Sequence, residues 1–108
     1  MLTGITMIMA TKTKEEVIQE IKNYIDKFGL SYSSWVIGIT NDAKATLFNS
    51  HKVDRESGKW IYRTVESNDT VNSIKKYFID LGLENFSNNS APEYNIVYAY
   101  KKATGTNP

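Results

Sequence analysis

Between Thr13 and Phe28 the apolar residues Val17, Ile18, Ile21, Tyr24, Ile25 and Phe28 recur at helical spacing. Thr13 and Glu16 form the Thr-x-x-Glu signature of a capping box at its start, and Gly29 supplies the stop. From Trp35 to Thr40 the pattern changes. Val36, Ile37 and Ile39 are apolar and no charge falls between Leu30 and Asn41, which predicts a strand buried on both faces. Asn41 or Asp42 is placed to cap a helix of one to two turns running to Asn49, with Ala43, Leu47 and Phe48 turned inward.

The polar run Asp54-Arg55-Glu56-Ser57-Gly58 marks a turn, and the alternation of Trp60, Tyr62 and Thr64 with Ile61, Arg63 and Val65 predicts a second strand near residues 59–66. A third helix is expected from a cap at Asn68 or Asp69 to Gly82. Val71, Ile74, Tyr77, Phe78 and Leu81 form its apolar face, and Lys75 and Lys76 face solvent. After a polar, asparagine-rich loop with Pro92, the last strand spans Tyr94 to Lys101. Its Tyr94, Ile96, Tyr98 and Tyr100 share one face, with Val97 and Ala99 on the other.

The order is therefore α-β-α-β-α-β. It predicts one α+β (or small α/β) domain over residues 13–101, with a three-stranded sheet packed by two longer helices and one short one. Residues 1–12 are expected to form an apolar tail or edge segment and residues 102–108 a flexible C-terminal tail. Met1 to Ala10 is too short to cross a bilayer and has no basic residue ahead of it, so neither a membrane contact nor an export signal is expected.

Composition narrows the chemistry more than it identifies it. With 108 residues, 41% of them hydrophobic, the chain supports a single modest core. It has no cysteine, which removes disulfides and thiolate chemistry and fits a reducing, cytoplasmic setting. A lone His51 cannot assemble a zinc site unaided, so no metal and no cofactor is expected. A net charge of +1 argues against avid, non-specific binding to duplex nucleic acid. There is no Gly-rich phosphate loop, nucleophile elbow, zinc-protease helix or EF-hand loop.

The stretch Trp35 to His51, WVIGITNDAKATLFNSH, resembles the second half of the GIY-YIG nuclease signature. Gly38, Thr40, Asn41, Asp42, Leu47 and His51 match it, and the resemblance extends over about residues 35–80. It implies a nuclease-like core that has lost its catalytic apparatus. The family's strand tyrosine falls at Val36, its helix arginine at Ala45 or Thr46, and its metal-holding glutamate near Ser73. None of these replaces its counterpart: valine cannot relay a proton, alanine and threonine carry no charge, and serine is a poor anchor for a hard cation. The family's first tyrosine strand, which precedes the matched one, has its only counterpart here in the C-terminal Tyr98 and Tyr100.

The candidate catalytic residues are thus His51, Asp42, Tyr98 and Tyr100, each with a plainer reading as packing, cap or surface group. The candidate binding residues are Arg55, Lys59, Trp60, Tyr62 and Arg63, cations interleaved with aromatics, together with Thr40 at the end of the strand. The expected role is a non-catalytic binding module for a protein partner or, second, for a nucleic-acid end or single strand. A small metal-dependent phosphodiesterase with a non-standard site and a self-associating module, such as a homodimer, are the alternatives.

Overall fold

The computed structural model describes residues 12–29, 31–86 and 94–107. Helix α1, Lys14–Asp26, starts as its sequence requires. Thr13 Oγ1 accepts from the Glu16 amide and the Glu16 carboxylate accepts from the Thr13 amide, which closes the capping box. Strand β1, Trp35–Thr40, is buried along its whole length. Strand β2 is Trp60–Thr64 and helix α2 is Asn68–Leu81. The cap of α2 is Ser67 rather than Asn68 or Asp69, because its Oγ reaches the Thr70 amide at 3.1 Å. Gly82, at φ +122, ends that helix in a backbone conformation closed to most side chains.

The sheet has four strands rather than three. Strand β3, Glu84–Asn85, pairs parallel with β1, and the Phe86 amide extends the pairing to Ile37 O. Strand β4, Ile96–Lys101, is antiparallel to both β1 and β2, giving the order β2-β4-β1-β3. Two polar residues carry no strand signal of their own; β3 exists because Leu83 is buried and draws its neighbours against β1.

Both faces of this sheet are covered. On one, α1 and α2 pack Val17, Ile21, Ile25, Val71, Ile74 and Phe78 over Trp35, Ile37, Ile39, Ile61, Val97 and Ala99. On the other, Val36, Tyr98 and Tyr100 meet Leu47 and Val53 from the β1–β2 connection. The alternation expected of the last strand holds for Tyr98 and Tyr100 against Val97 and Ala99. Tyr94, however, lies ahead of β4 and packs with the helix-side core.

The short helix after β1 takes an unusual form, a six-residue π turn at Ala45–Ser50, in which the His51 amide reaches back five residues to Thr46 O. Ala43 and Leu47 are buried as expected, and Phe48 is half-buried. Two expectations about α2 need correction. Tyr77 is its one exposed large apolar residue, while Lys75 is half-buried and its ammonium points to Phe86 O at 3.4 Å. Residues 102–107, read from sequence as a tail, fold back: Lys102 N–H donates to Ser34 O and Asn107 N–H to His51 O. No described helix is long and apolar enough to cross a membrane.

Candidate functional site

The register of β4 on β1 sets Tyr98 opposite Gly38. A Cβ at position 38 would run into the Tyr98 phenol, so glycine here makes room for the ring to lie across β1. Tyr100 stacks beside it at 6.5 Å between centroids. The π turn delivers His51 to the ends of both phenols. His51 Nε2 lies 2.7 Å from Tyr98 Oη, and His51 Nδ1 lies 2.8 Å from Asn107 O and 3.0 Å from Tyr100 Oη. A backbone carbonyl only accepts, so Nδ1 carries the proton and Nε2 accepts from the Tyr98 hydroxyl. The Phe86 and His51 rings meet edge to face, with centroids 4.5 Å apart.

His51 is 1% exposed and both tyrosines are fully buried. Burial lowers the His51 pKa below its ordinary value, partly offset by the Asn107 carbonyl. It also pushes both phenols well above their usual range, with Tyr100 adding to the shift of Tyr98 and Glu84 to that of Tyr100. At neutral pH the three are uncharged, mutually hydrogen-bonded and sealed from solvent. This arrangement offers no phenolate and no accessible lone pair for proton abstraction.

Three of the four catalytic candidates thus converge, and Asp42 does not join them. It is exposed, with Oδ1 accepting from the Ala45 amide at 3.1 Å, so it acts as a cap. Thr40 is buried and bonds Thr46 Oγ1 at 2.8 Å and the Asp42 amide at 3.1 Å, which makes it a fastener for this turn rather than a contact surface. Val36 is buried on the tyrosine face, whereas Ser73 is exposed on α2, which packs against the opposite face. Among the described residues no group of three or more His, Cys, Asp or Glu is placed to hold a metal.

The binding candidates divide across β2. Trp60 and Tyr62 stack at 6.2 Å on the tyrosine face, Phe48 meets Trp60 edge-on, and the Arg55 guanidinium lies 4.1 Å over Phe48. Arg63 and Lys59 lie toward α1 instead. Arg63 Nε donates to Glu20 at 2.6 Å and its Nη1 to Tyr62 O at 2.8 Å, while Lys59 sits 5.2 Å over Phe28. Lys12, which also bonds Glu20, and then Arg63 hold that carboxylate below its usual pKa.

Strand β2 forms one edge of the sheet. Lys101 N–H donates to Lys59 O and Val65 N–H to Asn95 O. In an antiparallel ladder this sets the bonded pairs at odd positions and turns the backbone groups of Trp60, Tyr62 and Thr64 outward. Of these, Trp60 N–H is taken by Tyr24 Oη at 3.1 Å and Tyr62 O by Arg63. An open groove of 450 Å³ follows this edge, lined by Tyr24, Trp60, Ile61, Tyr62 and Arg63. Sequence reasoning missed Tyr24, Phe86 and Asn107. Tyr24 belongs to a helical stripe that reads as core, and Asn107 carries no signal, because its role depends on where the chain returns. Compared with known proteins, the chain matches no family model, no curated protein and no solved structure.

Proposed function

We propose that this chain is a non-catalytic binding module, on a core resembling a GIY-YIG domain without its catalytic residues, that receives an extended segment of a protein partner along the outer edge of β2. The open edge and its groove carry the reading. Tyr62 N–H, Trp60 O and the Thr64 backbone point where an added strand would meet them, and the groove takes its side chains on both faces. Arg55 and Lys59 flank the strand with no carboxylate partner among the described residues, which favours a peptide carrying acidic residues beside alternating apolar ones. A single-stranded nucleic acid fits less well, since Arg63 is already paired with Glu20 and Trp60 is held between Phe48 and Tyr62. The absence of cysteine suits a cytoplasmic setting.

The convergence of His51, Tyr98 and Tyr100 favours the phosphodiesterase as a second reading, and their burial weighs against it. Panning a random peptide display library against the wild-type chain and Tyr62→Pro tests the proposal. Proline removes an outward N–H without touching the β4 ladder. Acidic peptides with alternating apolar residues should be enriched on the wild type and lost on the variant. No enrichment, or equal binding to both proteins, would refute it. Salt-sensitive binding of fluorescent oligonucleotides would move the assignment to single strands, and magnesium-dependent cleavage lost in His51→Ala to catalysis.

A further inference from the structure

We infer that a second site, adjoining the β2 edge and sharing Lys59 with it, binds a small phosphate-class anion in the pocket between the Lys52–Lys59 connection and the turn at Ala103–Thr106. The pocket encloses about 130 Å³ and includes Lys52, Lys59, Lys101, Asp54, Ser57 and Thr104 in its wall. Its volume is below the roughly 300–1,000 Å³ of pockets that take drug-sized ligands. It therefore suits one or two phosphate groups rather than a whole nucleotide.

Charge gives the pocket its preference. Lys12, Lys22, Lys76 and Lys102 each meet a carboxylate, at Glu20, Asp26, Asp80 and Glu84. Lys52, Lys59 and Lys101 have no carboxylate partner among the described residues, yet they line one cavity. Lys59 rests on the Phe28 ring and Lys101 Nζ donates to Lys102 O, contacts that an anion can outcompete. Asp54, the one acid in the wall, is turned into its own loop. Its Oδ1 accepts from the Ser57 amide at 2.8 Å and the Glu56 amide at 2.9 Å. The pocket thus keeps an excess of positive charge.

Backbone geometry supplies an independent observation. Lys52 is the one non-glycine residue with positive φ among those described, at +59, in the left-handed region where a helix exit ordinarily uses glycine or asparagine. Local fold alone would be served better by glycine. The residue that bears this strain is one of the three lysines lining the pocket, as expected where strain is retained for a ligand.

Amide chemical-shift titration of the full chain with inorganic phosphate, pyrophosphate and phosphoserine in separate arms, against sodium chloride at matched ionic strength, tests the inference. Saturable shifts at Lys52, Ser57, Gly58 and Thr104 are expected, strongest with pyrophosphate if two groups are held. A preference for phosphoserine would identify a phosphomonoester instead. Lys52→Gln and Lys101→Gln should each weaken binding at least fivefold. Lys52→Gly should do the same while raising or preserving the melting temperature, which a purely structural lysine would not produce. Shifts that stay linear and match chloride, or variants that bind as the wild type, would overturn the site.

Discussion

At the scale of single residues the most consequential choice is a buried histidine whose hydrogen bonds are all specified. His51 is neutral with its proton on Nδ1, and Tyr98 donates to Nε2. Protonating Nε2 would make the Tyr98 hydroxyl turn its own proton away and accept instead, and would place a charge in a buried site with no acid among the described residues to pair it. Because the folded pKa lies below the ordinary 6.5, folding disfavours the imidazolium. Stability is therefore complete above about pH 6.5 and is lost as pH falls from there through the folded value. Urea unfolding at pH 7.5 and pH 5.5 should show this loss in the wild type and a clearly smaller one in His51→Gln; equal slopes would remove His51 as the cause. Tyr98→Phe leaves the Nε2 acceptor buried and unpaired, at a cost of about 1–3 kcal/mol. Gly38→Ala forces a methyl group against the same phenol and should cost a similar ~1–3 kcal/mol. Adding Tyr98→Leu should recover part of that loss, whereas an additive double variant would show that the ring is not the obstacle.

At the scale of elements, legibility follows how local the cause is. The start of α1 was readable because Thr13 and Glu16 satisfy each other within three residues. The cap of α2 is ambiguous in sequence because Ser67, Asn68 and Asp69 are all good caps, and only the path of the chain lets Ser67 reach Thr70. Strand β3 and the π turn were invisible. The first is held by pairing with β1, and the second by the His51 amide bonding Thr46 O five residues back and by the contact of Thr46 with Thr40. The convergence of His51 with Tyr98 and Tyr100 was equally hidden, since residues 47 and 49 positions apart meet only through the β1–β4 register. Strand β2 was legible as a strand but not as an edge. Its polarity can be measured directly, because Ile61 N–H lies within the ladder to β4 and Tyr62 N–H outside it. Ile61→Pro should cost at least about 1–3 kcal/mol through the lost ladder bond. Tyr62→Pro should leave the amide spectrum of β4 largely intact, and comparable unfolding of both variants would mean that the edge has been assigned to the wrong side.

At the scale of the whole molecule, the C-terminal turn closes the tyrosine face. Asn107 N–H donates to His51 O at 2.6 Å, Asn107 O accepts from His51 Nδ1, and Asn107 Nδ2 donates to Ser50 O at 3.3 Å. One residue at the far end of the chain thus fastens both the backbone and the imidazole of a residue in the β1–β2 connection. Its carbonyl is the acceptor that fixes the tautomer on which the Tyr98 bond depends. Ending the chain at Ala103 removes these three bonds and admits water to His51, so the loss should exceed the ~1 kcal/mol of an average hydrogen bond and reach roughly 1–3 kcal/mol. Two opposed effects on the imidazole follow. Removing the Asn107 carbonyl lowers its pKa and admitting water raises it, and burial is the larger of the two influences in the intact chain. The histidine resonance of the shortened protein should therefore titrate closer to 6.5 than that of the full chain. An unchanged titration would show that β4, Phe86 and the π turn exclude water without help from the C-terminal turn, leaving Asn107 a local fastening rather than the closure of the site.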